Sequence, residues 1–129
     1  MKSLDIEKEI VEKYVKKHKQ ERILWELSKN KKRKDVIWKF AGTDIFKDNC
    51  LQKVEYMSKS LMVKYLHEIG APQKIYYIGE SCIGEMNLEE AAEKASTGEI
   101  CIIYCGNGIG YYQGEQEYGS PPRYILMQK

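Results

Sequence analysis

No stretch of this sequence approaches the ~20 consecutive apolar residues that a membrane-spanning helix needs, so no membrane association is expected. No export signal is expected either: Met1-Lys2-Ser3-Leu4-Asp5-Ile6-Glu7-Lys8-Glu9 carries charge where a signal peptide is apolar. A cytoplasmic protein is the expectation, and with it reduced thiols. Cys50, Cys82, Cys101 and Cys105 therefore read as buried cysteines and not as two disulfides. Histidine is scarce, with only His18 and His67, so no metal site is expected. There is no Walker lysine, internal repeat or domain linker, and no cofactor is implied.

What is present fits one globular domain. The chain has 129 residues, 43% of them hydrophobic and 31% charged, which is enough to build a core without disulfides or metal. The net charge of +2 hides an uneven distribution. Residues 1–64 hold 17 Lys/Arg against 10 Asp/Glu, whereas residues 65–129 hold 4 against 9. Partners are steered by such fields, so the division bears on function.

Periodicity gives the elements. Ile10, Val11, Tyr14, Val15 and His18 share a helical face that Leu24 and Leu27 continue. With Ser3 as N-cap, residues 3–28 are one long helix or two with a break near Lys19-Gln20. Lys29–Lys34 is a solvated loop. Val36, Trp38 and Phe40 alternate as a strand ended by Gly42, and a second strand spans Leu51 to Met57. A helix over 60–69 stops at Gly70-Ala71-Pro72, and Lys74–Ile78 is a strand. Asn87-Leu88-Glu89-Glu90 has the form of a capping box opening a helix that closes at Gly98. Strands follow at 100–105, 109–113 and 123–127. The fold class is α+β: a single domain over 1–129, with a helical segment 1–29. Residues 35–129 form a mixed, mainly antiparallel sheet of five or six strands, with two helices.

Three stretches invite chemistry. Gly106-Asn107-Gly108-Ile109-Gly110 follows a strand, but its spacing is not that of a dinucleotide loop, and Asn-Gly marks a hairpin turn. Cys101 and Cys105, four apart on a strand, lie roughly 13 Å from one another, too far to share one zinc. Gly79-Glu80-Ser81-Cys82-Ile83-Gly84 holds a serine and a cysteine after a strand. A small enzyme using Cys82 or Ser81 with His67, and Glu80 as orienter, is one reading; a turn with a buried thiol is the other.

Lys31, Lys32, Arg33 and Lys34 could touch the phosphates of a nucleic acid, although no known recognition motif accompanies them. The neighbouring Trp25 and Trp38 sit in apolar-periodic segments and read as core. Ten tyrosines against two phenylalanines is a further bias, for tyrosine serves both half-buried sheets and interfaces. Tyr76-Tyr77 and Tyr111-Tyr112 must point to opposite sheet faces.

Tyr76-Tyr77-Ile78-Gly79-Glu80, then Ile83-Gly84-Glu85-Met86-Asn87-Leu88-Glu89-Glu90-Ala91 and the strand Ile100–Tyr104, resemble small bacterial immunity-type proteins of toxin/immunity systems. The resemblance covers residues 74–129. It implies a non-enzymatic, cytoplasmic role: binding a protein partner, a toxin, and occluding its active site. Combined with the acidic charge of the second half, it points to a basic partner. The expected contacts are then Glu85, Glu89, Glu93, Tyr111, Tyr112, Glu115, Glu117 and Tyr118.

Overall fold

Both neighbours in each tyrosine pair are buried, Tyr76 and Tyr77 as well as Tyr111 and Tyr112, so the sheet that carries them is covered on its two faces. The computed structural model describes residues 3–29, 31–55, 57–115 and 122–127. Within them lie four α-helices: α1 (Ser3–Tyr14), α2 (Lys17–Leu27), α3 (Lys59–Glu68) and α4 (Leu88–Ser96). Three 3₁₀ helices follow α2, at Arg33–Phe40, Thr43–Ile45 and Asp48–Cys50. The strands are β1 (Leu51–Val54), β2 (Lys74–Gly79), β3 (Ile83–Asn87), β4 (Cys101–Gly106), β5 (Ile109–Gln113) and β6 (Arg123–Met127). They form one sheet in the order β1-β6-β5-β4-β2-β3, antiparallel at every pairing. The α+β single domain with a helical N-terminal part is as the pattern implies, and the sheet is wholly antiparallel.

Strand alternation sorts the core into two. Tyr76, Ile78, Ile102, Tyr104, Tyr112 and Leu126 face α1, α2 and the Arg33–Phe40 helix. Ile75, Tyr77, Cys101, Ile103, Cys105, Tyr111 and Ile125 face α3 and α4. β4 lies inside the sheet with all of Cys101–Cys105 buried, which explains its unbroken apolar run. The β4–β5 hairpin turns through Gly106, Asn107 and Gly108, all at positive φ, where Asn-Gly is at ease.

Four local expectations need correction. Val36–Phe40 is not a strand but part of a 3₁₀ helix, because Val36, Ile37 and Phe40 are buried at helical and not alternating spacing. The break between the first helices falls at Val15-Lys16, not at Lys19-Gln20. Val15 bridges Phe46, and Lys16 is extended at φ −54°, ψ 136°. Ile83–Asn87, to which the pattern assigns no element, is the edge strand β3, registered on β2 from Lys74↔Asn87 to Ile78↔Ile83. Asn87 holds the N-cap backbone of α4 without a side-chain capping bond, whereas Ser58 does cap α3, accepting from the Leu61 amide. Ser3 already lies inside α1.

The N-terminal layer is fastened through buried acid. Glu7 has no exposed surface, and Arg33 forks onto its carboxylate with Nη1 at 3.0 Å and Nη2 at 2.6 Å. The Tyr76 hydroxyl donates to the same carboxylate, and that of Tyr104 to Glu9. No helix among the described residues is long and apolar enough to cross a membrane.

Candidate functional site

The acidic, tyrosine-bearing contact set is not assembled as one surface. Tyr111 and Tyr112 are both 0% exposed, because β5 is an inner strand with helices on each side. Their hydroxyls are used internally: Tyr111 donates to Gln113 Oε1 at 2.9 Å, and Tyr112 to the Phe40 carbonyl. Neither is available to a partner, which corrects the expectation for both. Glu85 pairs with Tyr76 in the β2–β3 ladder and so lies on the α1 side of the sheet, while Glu89 and Glu93 ride α4 on the other. Each is also occupied at home. Lys74 stands 3.6 Å from Glu85, Lys59 stands 2.7 Å from Glu93, and Gln73 donates to Glu89. These contacts hold the Glu93 carboxyl, through Lys59, below its ordinary value, and the Glu89 carboxyl too, through its own amide and then Gln73. Glu115 is exposed, and its amide donates to the Ala41 carbonyl at 3.0 Å. Glu117 and Tyr118 lie outside the described residues.

Cys82 and His67 are not brought together either. His67 Nδ1 is 2.9 Å from the Ala71 carbonyl, just before β2, whereas Cys82 follows the far end of that strand. Six strand residues separate the two places by roughly 17 Å, and general-base catalysis needs about 3 Å. Ser81 Oγ instead donates to Glu99 Oε2 at 3.1 Å, an oxygen that also takes the Tyr77 hydroxyl at 2.6 Å. Glu99 is a strut for the β2–β3 turn. Burial, and then the nearby Glu99 charge, push the Glu80 carboxyl up. The thiols of Cys101 and Cys105 face the α3–α4 core, and burial raises both, Cys105 to about 12, so neither is a thiolate at neutral pH.

The surface that does assemble lies on α2 and the Arg33–Phe40 helix. Helix α2 buries Ile23 and Leu27, and Trp25, two residues from each, falls about 200° around the axis from both. It must point outward, and the residue is 44% exposed. The 3₁₀ helix buries Val36, Ile37 and Phe40, which turns Trp38 out to 54% exposure. Every other described aromatic ring is buried or half-buried. Both tryptophans, expected in the core, are therefore surface residues. Helical phase carried that signal for Trp25; for Trp38 the mistaken strand period concealed it.

Cations gather around them. Arg22, Lys29 and Lys32 stand 5.0, 5.5 and 5.4 Å from the centre of the Trp25 ring, within cation–π range. Residues 16–40 carry ten Lys/Arg against three Asp/Glu, so the positive charge of the first half is concentrated here. Only Arg33 of the basic run turns inward, to Glu7, whose hydrogen bond raises its guanidinium pKa further. No family model, curated protein or solved structure matches the chain.

Between α2 and the Thr43–Ile45 helix a groove of about 390 Å³ opens beside the same cations, with Lys19, Arg22 and Lys39 around it and Ile23 and Ile45 beneath. Glu26, largely covered, sets two of these side chains. Its Oε1 lies 3.2 Å from Lys39 Nζ and 3.7 Å from Arg22 Nε, yet accepts no well-aligned hydrogen bond.

Proposed function

We propose that this chain is a non-enzymatic protein-binding domain, immunity-like in role, that docks an acidic protein through its Trp25–Trp38 face. The observation that carries the reading is the exposure of two tryptophans amid a concentration of lysine and arginine. Tryptophan and arginine are the residues on which interface energy most often concentrates, and surrounding cations favour a partner of opposite charge. The likeness of residues 74–129 to immunity-type proteins supports the role. Here the partner's charge is acidic, and the contact face belongs to the N-terminal layer, because Glu85, Glu89 and Glu93 are spent on local pairs.

The test begins with capture from the source cells, after which the recovered protein is purified and titrated against the chain by calorimetry. Saturable binding is expected that weakens with salt, as the Debye length falls from about 10 Å at 0.1 M to about 3 Å at 1 M. Trp25→Ala and Trp38→Ala should each weaken it about 30-fold, the equivalent of about 2 kcal/mol, without unfolding the chain. Glu89→Ala and Glu93→Ala should leave it unchanged. Captured material that nuclease removes, or tryptophan variants that bind like wild type, would overturn the proposal.

A further inference from the structure

The groove beside α2 shares Arg22 with the tryptophan face but has its own chemistry. Its volume of about 390 Å³ falls in the range of small-molecule sites, roughly 300–1,000 Å³. The floor is apolar, built from Ile23 and Ile45, both buried. The rim is cationic: Arg22, Lys19 and Lys39, with His18 beside them, opposed by Asp44 on the rim and by Glu26 behind Arg22 and Lys39. A cationic rim over an apolar floor suits a ligand with an oxyanion at one end and a compact ring or alkyl body at the other.

One feature favours phosphate over carboxylate, and a second favours any anion. Arginine and lysine side chains converge from two separate elements, α2 and the Arg33–Phe40 helix, and can meet different oxygens of one tetrahedral group. The Glu26 carboxylate lies between Arg22 and Lys39 and keeps both from folding away, so part of their ordering cost is met before binding. We propose that this groove binds a small phosphomonoester, its phosphate held by Arg22, Lys39 and Lys19 and its body laid over Ile23 and Ile45. The site stands whether or not the tryptophan face carries a protein.

Titration of the isotopically labelled full chain with adenosine monophosphate, inorganic phosphate and N-acetylglutamate methylamide tests this by amide chemical shifts. Saturable shifts should appear at residues 18, 19, 22, 39 and 44, tighter for adenosine monophosphate than for inorganic phosphate. Arg22→Gln and Lys39→Gln should each weaken binding about tenfold, the scale of one charge-assisted hydrogen bond. Asp44→Asn should tighten it severalfold by removing like charge, a gain that misfolding cannot imitate. Lys64→Gln, on α3 across the sheet, should change nothing. Non-saturating shifts spread over both faces, or no gain in Asp44→Asn, would overturn the site. A glutamate derivative that binds as tightly as adenosine monophosphate would overturn its assignment to phosphate esters.

Discussion

Glu7 shows how one side chain can join three elements. It leaves α1, receives the fork of Arg33 from the 3₁₀ helix and the hydroxyl of Tyr76 from β2, and is closed to solvent. Arg33 also donates to the Leu27 carbonyl at 2.8 Å and so closes the end of α2. Breaking a buried pair from one side leaves the other charge uncompensated. Glu7→Ala and Arg33→Ala should therefore each cost about 3 kcal/mol in urea unfolding, with Arg33→Lys in between. A double variant whose loss falls well short of the sum of the two would confirm their coupling. The sequence showed Glu7 only as one acid in a first helical turn. Nothing local says that it meets a residue 26 positions on, since that meeting depends on how the basic run folds back. The tyrosines were legible by half: alternation requires opposite faces for each pair, but not that both faces are covered.

At the scale of elements, α2 begins in an unusual way for an exposed helix. Its first turn is Lys17-His18-Lys19, with no acid and no side-chain cap from Lys16, so positive charge sits at the positive end of the helix dipole. Lys17→Glu should stabilise the chain by about 0.5 kcal/mol, read as a higher urea midpoint at unchanged slope. The helices α3 and α4 and the strands β2, β4, β5 and β6 were readable because each has a clean period or a strong stop, such as Gly70 or Asn107-Gly108. Arg33–Phe40 was not. Val36, Trp38 and Phe40 satisfy a two-residue period on paper, and only the burial of Ile37 between them shows the turn to be helical. β3 escaped because Gly84, Glu85 and Asn87 are poor strand formers, held in place by pairing with β2 on an edge. The tertiary partner outweighed propensity in both cases.

For the whole molecule, the outcome is a sheet with a separate core on each face, and the phenols divided between them. Tyr14, Tyr104 and Tyr112 are on the N-terminal side, with Tyr77 and Tyr111 on the other. All five are held above the ordinary value of 10.0, in each case first by burial. A folded pKa above the unfolded one means that the native state keeps its proton more tightly. The stability is intact below pH 10 and is lost as pH climbs beyond it, when the unfolded chain ionises and the folded one cannot. Alkaline titration should therefore show tyrosinate absorbance from these residues rising together with the loss of the circular dichroism signal. Ionisation of all the phenols well before unfolding would contradict their burial.

The position of β6 between β1 and β5 also bears on how the protein comes into being. Leu51 pairs with Leu126, 75 residues later, and among the described residues no other strand stands beside β1. While the ribosome is still making the intervening chain, β1 has nothing to join, and the N-terminal helices that overlie β6 lack part of their floor. The sheet cannot be completed in the order in which it is synthesised. Closure waits for a late strand to slide between two earlier pieces, and until then an unpaired strand is open to chaperones or to aggregation.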